Sequence, residues 1–466
     1  MNTTVKKEYF SFRTAQSFKC FLSMCLILIY SGCSKSSDSN NSSKAKASIA
    51  LSMSVVKQNS IMTNLVNKKS NFKSLNKIKK ANLFSVTNGN SVPAEGTGLT
   101  SFKIHINSIK ICKSITLNGT AISDMSGCVT LYQGSSNAAL DDTSNYSAQF
   151  TAAQASDDGY IDVMDATSLA KLAQTTSVTI DNIGDYNYGV IDISSPIKAT
   201  ATMVDPADGT TPVLYTKSTH AGTCQVNNNP VYSCAVSASS LTTAPAEESI
   251  FNGIIGGSMI LKFQNPFTIT EADINSNSSF NLKLAFNPNG LLQGVTANSS
   301  AGGATNFPPM TDNIINNGYN VGNTIELVGA QFAAVVMKNS GNVMRESYTA
   351  TVNANGGGTY KLRIEFYYVD TDSTKTIYGV STATLPTSNT SGYLIGWQRI
   401  YGVTTNTDGT INLLDYSGNS LITNFTRQSS VSGTTTATIS CDVGMSCSAP
   451  TTQSLTFTLD ALEIVN

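Results

Sequence analysis

The sequence predicts an all-β protein, built as two β-sandwich domains in tandem with one short helix. Three observations carry this expectation. Apolar residues recur at every second position in many short stretches, turn-forming pairs stand between them, and charged residues are only 13% of the chain. That share is about half the usual ~25%, so Ser, Thr, Asn and Gly must clothe most of the surface. With 466 residues and 40% hydrophobic content, there is ample material for real cores.

The first residues carry Lys6, Lys7, Arg13 and Lys19, then the apolar run Cys20 to Tyr30, then Ser31-Gly32-Cys33. This is the order of an export signal, expected over residues 1–32. The run is far shorter than the ~20 residues a membrane-spanning helix needs. Ser31-Gly32-Cys33 resembles the lipobox of bacterial lipoproteins, with Tyr30 where an aliphatic residue is usual. The resemblance implies cleavage before Cys33 and lipidation of its thiol, including palmitate. Ser34, not being acidic, implies the outer membrane. An ordinary signal peptide with a chance cysteine is the alternative. The polar tract from Ser34 to Ser43 favours the anchor, because it reads as a flexible tether over residues 33–46.

The first sandwich is expected over residues 47–297. Ile49, Leu51, Met53 and Val55 alternate with Ala50, Ser52 and Ser54, which makes a first strand. A basic loop follows over residues 57–82. From Phe102 to Ile106 the apolar positions are even, whereas Ile109 and Ile111 are odd, and this change of phase predicts a bulge near Asn107. The helix is expected from Asp165 to Gln174, where Leu169, Leu172 and Ala173 follow a Ser/Thr/Asp entry. Phe280 to Asn287 alternates strictly again. Asp158-Gly159, Asp208-Gly209, Asn289-Gly290 and Asp408-Gly409 supply the positive φ of tight turns.

Four segments occur in a familiar order: Ser101 to Cys112, Tyr160 to Leu172, Gly184-Asp185-Tyr186 leading to Val190-Ile191-Asp192-Ile193, and Phe267 to Phe286. Together they resemble a family of bacterial lipoprotein domains of unknown function with a prealbumin-like β-sandwich. The resemblance covers roughly half the chain and implies no catalytic residues. The long basic stretch and the cysteine loop at 224–234 depart from it.

Residues 298–322 turn to Asn, Gly, Ser and Pro, and a linker is expected there. The second sandwich would occupy residues 323–466. Within it Tyr360 to Phe366 alternates, with Lys361, Arg363 and Glu365 expected to face outward, and Gly356-Gly357-Gly358 reads as a hairpin turn.

Of nine cysteines, Cys20 and Cys25 leave with the signal and Cys33 takes lipid, so six remain. An even number in an oxidising compartment reads as disulfides, and proximity in sequence favours Cys112–Cys128, Cys224–Cys234 and Cys441–Cys447 among fifteen connectivities. No C-x-x-C occurs and only His105 and His220 are present, so no metal and no cofactor are expected.

Charge is uneven. Residues 34–96 hold ten lysines against Asp38 and Glu95, while residues 97–466 hold fifteen basic and twenty-seven acidic side chains. An acidic body argues against nucleic acid as partner. Lys68, Lys69, Lys73, Lys77, Lys79 and Lys80 alternate with apolar residues. They read first as a solvated loop, and alternatively as a surface lying on anionic head groups.

Other candidates are weaker. His105, in a strand, reads as a surface or core-edge residue, and no G-x-S-x-G accompanies it or His220. Asp370 to Thr374 begins like a calcium loop, but Lys375 and Ser381 stand where glycine and a closing carboxylate are required, so a turn is favoured. Asp141-Asp142 and Asp157-Asp158 read as solvated carboxylates, and Trp397 as a packing residue. The functional expectation is a membrane-anchored, non-enzymatic protein that binds an unknown protein or glycan in adhesion or envelope assembly. A carbohydrate-active hydrolase is the alternative.

Overall fold

The computed structural model describes residues 45–56, 91–92, 97–118, 121–142, 146–204, 212–216, 225–226, 229–230, 234–235, 245–251, 257–289, 291–296, 323–327, 331–337, 341–353, 359–386, 402–415, 418–440 and 452–465. Strand dominates them, in agreement with the all-β expectation. The signal region, Cys33, the lysines from 68 to 80, His220, Cys224, the 298–322 segment, Trp397, Cys441 and Cys447 lie outside the described residues.

The first sandwich and the ribbon attached to it are built on β1 (Ala47–Val55), β2 (Thr97–Cys112), β3 (Ser114–Asn118), β4 (Ala121–Ser126), β5 (Val129–Gln133), β6 (Tyr160–Asp162), β7 (Thr175–Val178), β8 (Gly184–Val204), β9 (Gly257–Ile269), β10 (Ser279–Asn287) and β11 (Gln331–Met337), with β3 and β4 forming the ribbon. One sheet has the order β11-β10-β1-β7, and β1 runs parallel to β10 with Leu51 opposite Leu282. A parallel pair needs a long crossover, and the rest of the sandwich supplies it. The facing sheet is built on β2 and β8, flanked by β5, β6, β9 and the short strands Pro212–Tyr215 and Ser249–Phe251.

The alternation read in β1 buries Ala47, Ile49, Leu51 and Met53 against Phe102, Phe280 and Phe286. Phe102 stacks on Phe286 at 5.4 Å between centroids, and Phe267 meets Phe280 edge-on at 4.7 Å. The bulge expected at Asn107 is present, because the β2–β8 register shifts between Ile106 and Ser108. It frees the Asn107 carbonyl to accept from Gly134 N and Gln133 Nε2, both at 2.9 Å. Gly159 and Gly409 take the positive φ anticipated for their turns, 79° and 84°.

The expected helix is shorter than Asp165 to Gln174. It is α3 (Ala166–Leu169) plus one 3-10 turn to Leu172, capped by the Asp165 side chain, which accepts from Ser168 N at 2.7 Å. Three further short helices went unforeseen: α1 (Ala138–Asp141), α2 (Tyr146–Ala155) and α4 (Glu271–Asn275). Each is too brief to show a stable 3.6-residue stripe.

The second sandwich is one eight-stranded sheet from β12 (Val343–Asn353), β13 (Thr359–Val369), β14 (Gly379–Pro386), β15 (Gly402–Thr405), β16 (Ile411–Leu414), β17 (Ser420–Phe425), β18 (Thr434–Ser440) and β19 (Thr452–Val465). Its order is β14-β13-β12-β19-β18-β17-β16-β15. Strands β13 and β17 stand four places apart, ~19 Å in a flat sheet, yet the rings of Phe366 and Phe425 are 5.5 Å apart. The sheet therefore curls around its own core, where Tyr348 and Phe457 join the same aromatic cluster.

A third core joins the two. Strand β11, which follows the expected linker in sequence, pairs along β10 of the first sandwich with Leu284 opposite Ala334. The outer side of this pair places Ala285, Ala333, Val335 and Met337 against Val343, Tyr367, Val369 and Val465. Asn265 of the β9 bulge donates from Nδ2 to Ile377 O at 2.7 Å, and Gln264 accepts from Val403 N at 2.8 Å. Residues 44–466 form one compact unit.

Cys112 and Cys128 are disulfide-bonded as expected, pinning the base of the β3–β4 ribbon. A two-strand ribbon is marginal by itself. Replacing both cysteines by serine is expected to cost about 3 kcal/mol, the chain-entropy value for a loop of this size. Urea denaturation of the double variant against the oxidised protein measures the loss.

Candidate functional site

Two polar clusters stand out. The first lies on the outer face of the seven-stranded sheet, beneath α1 and α2. Strand alternation turns Lys103 and His105 away from the core, since their neighbours Phe102, Ile104 and Ile106 hold the inner face. His105 is fully buried all the same, edge-on to Tyr160 at 5.5 Å. Its Nδ1 lies 3.0 Å from Asn107 Oδ1. Asn107 Nδ2 donates to Asp141 Oδ1 at 3.0 Å and to Ser194 Oγ at 2.8 Å, and Ser194 Oγ donates to Asp141. A carboxylate can only accept, so the Asn107 amide points its oxygen at the imidazole and keeps the ring proton on Nδ1. Nε2 is left as a bare acceptor without a partner. Burial lowers the His105 pKa below its ordinary value, against the opposing pull of Asn107 and Asp141.

Beside it, Lys198 is buried under the Tyr160 ring at 4.5 Å and donates to Asp157 Oδ1 at 2.5 Å and to Ser156 O at 2.9 Å. Lys103 bridges Asp157 and Glu248, each at 2.5 Å. Burial alone would raise the Asp157 carboxyl, but hydrogen bonds from Lys103 and Lys198 hold it below its ordinary value. Asp141 and Asp157, expected to be merely solvated, are thus partnered.

The second cluster sits in the third core. Glu365 of β13 is fully buried. Its Oε1 accepts from Arg345 Nε and Nη2, at 2.9 and 2.6 Å, and from Asn287 Nδ2 at 2.5 Å. Its Oε2 accepts from Tyr367 at 2.8 Å and Ser381 at 2.9 Å. Arg345 also donates to Glu463 at 2.5 Å, and Arg363 donates to the Asn289 carbonyl. Burial works to raise the Glu365 pKa, but Arg345, Arg363 and Asn287 bring it down to about 2. This overturns the expectation that Arg363 and Glu365 face water: β10 and β11 cover that side of β13, and the charges are kept there by one another. Glu346, also buried, is held by the fork of Arg427, with Nε at 2.8 Å and Nη2 at 3.0 Å.

The acidic loop is a turn. Asp370 accepts from Asn342 N and Nδ2 at 3.0 and 2.7 Å, while Asp372 accepts from Thr374 N and Thr376 N, both at 2.9 Å. Lys375 takes a φ of 50° where a calcium loop would need glycine. Among the described residues no group of three or more His, Cys, Asp or Glu could hold a metal ion. Cys234 belongs to the short strand Cys234–Ala235.

No family model, curated protein or solved structure matches the chain. The site must therefore be read from its own chemistry. Each cluster is a set of donors and acceptors satisfied mainly by one another, whereas His105 Nε2 in the first cluster has no hydrogen-bond partner. The Glu365 cluster was within reach of the sequence. Ile364, Phe366, Tyr367, Tyr368 and Val369 are apolar at both parities, and such a strand is covered on both faces.

Glu365→Ala is expected to cost about 3–5 kcal/mol, because Arg345 would lose its fully buried counter-charge and keep only the partly exposed Glu463. The pKa of Glu365 is lower folded than unfolded, so its contribution is complete above its ordinary value of 4.5 and drains away as pH falls towards 2. Urea midpoints of wild type and Glu365→Gln at pH 7 and about pH 3 test this: the gap between them should narrow in acid.

Proposed function

We propose that this chain is an exported lipoprotein, cut before Cys33 and held to the bacterial outer membrane by lipid on that thiol, which acts by binding a protein or glycan. The observation that carries the reading is Ser31-Gly32-Cys33, placed directly after an apolar run and directly before a polar tether. The first strand begins at Ala47, which leaves residues 33–46 as the link between lipid and folded body. The Cys112–Cys128 disulfide supports an oxidising compartment. Binding is favoured over catalysis because the buried carboxylates Glu365 and Glu346 are committed to arginine partners that hold strands together. The prealbumin-like lipoprotein resemblance of the first sandwich points the same way.

Lys68, Lys69, Lys73, Lys77, Lys79 and Lys80 follow the first strand and would add an electrostatic contact with anionic head groups beside the lipid. A soluble form lacking residues 1–33 should then bind anionic vesicles at low salt and leave them at high salt. No binding at low salt removes this second contact.

Mass spectrometry of the protein from bacterial membranes tests the anchor. The expected amino-terminal peptide begins at Cys33 with diacylglyceryl mass, and Cys33→Ser should remain uncut. A mature form beginning elsewhere, or one retaining Met1, overturns the reading.

A further inference from the structure

The outer-face cluster contains a feature that the binding reading leaves unused. His105 Nε2 is buried, has no hydrogen-bond partner and faces the Asp158–Gly159 turn. A methyl group built on Gly159 would lie 2.4 Å from Nε2 and 2.8 Å from Ser135 Oγ, so the turn is seated directly on the bare nitrogen. That turn is how the chain returns from α2 to β6. Helix α2 packs on the sheet through a satellite core of Leu140, Ala153, Tyr160 and Ile250, is tied to α1 by the bond from Gln149 Nε2 to Leu140 O at 2.8 Å, and is followed by Ser156 and Asp157, which Lys198 holds to the sheet. Small satellite cores open well below the global unfolding free energy.

We propose that α2 and the Asp158–Gly159 turn form a lid over the outer face of the seven-stranded sheet, latched while His105 is neutral and released when Nε2 takes a proton. The ring already donates from Nδ1 to Asn107, so a second proton can sit only on Nε2, where the turn supplies no acceptor. Opening the turn lets water reach that N–H. The titratable groups around the ring are Lys103 on the same strand, Lys198 on β8, Asp141 at the end of α1, Asp157 before β6, Asp158 in the turn itself, Tyr160 edge-on to the imidazole, and Glu248 beside the strand Ser249–Phe251. Asp157 and Glu248 bind the two lysines. Asp141 reaches the ring only through Asn107. None of them accepts from Nε2. The lowered pKa of His105 agrees in direction, since a site that resists the proton when closed must open more readily as pH falls.

Hydrogen exchange read by mass spectrometry, corrected for intrinsic rates, tests the latch on the full mature chain. Protection over residues 146–160 should fall by about tenfold or more between pH 7.5 and about pH 5, while residues 362–368 of β13 keep theirs. His105→Gln, which cannot take the proton, should lose this pH response. Gly159→Ala, which drives a methyl into Nε2, should expose residues 146–160 already at pH 7.5 with the β13 region still protected. Equal protection at both pH values, an unchanged response in His105→Gln, or a fully protected segment in Gly159→Ala would each overturn the lid.

Discussion

A carboxylate taken out of water must find charge and hydrogen bonds, and Glu365 finds them on four strands at once. Arg345 reaches it from β12, Asn287 from β10 and Ser381 from β14, with Tyr367 on its own strand. Because side chains alternate along a strand, a slip of one residue in any of these pairings would point a partner to the wrong face. The bridge from Asn287 to Glu365 therefore fixes how the first sandwich docks on the second. The apolar contacts around it supply most of the favourable free energy, but they are less particular about register.

Around that layer the architecture has a simple logic. Strands β10 and β11 serve two cores: Phe280, Leu282, Leu284 and Phe286 belong to the first sandwich, while Ala285, Val335 and Met337 belong to the junction. Cores on both sides give the two bodies a shared wall, and the β9 bulge adds polar ties at Ile377 and Val403.

Much of this was legible in the chain. The phase change at Asn107 announced its bulge, because inward residues must stay inward when one residue is inserted. The alternation of β1 and β10 marked their buried faces, and the Cys112–Cys128 spacing suited a closed ribbon. What escaped was tertiary. Arg363 and Glu365 alternate as solvent-facing charges do, and only the doubly apolar run beginning at Ile364 hints that the other face is covered. Asp157 and Asp141 looked like loop carboxylates because their partners, Lys198 and Ser194, lie on a strand distant in sequence. Helix α2 has apolar residues on all sides, with no stripe to betray it.

If the Glu365 layer makes the two sandwiches one mechanical body, they must unfold together. Pulsed hydrogen exchange along a urea titration follows both at once, through peptides containing Phe102 and Phe286 and through peptides containing Phe366 and Phe457. A single shared midpoint is the expected result. Two separated transitions, with one aromatic core intact while the other exchanges, would contradict the account.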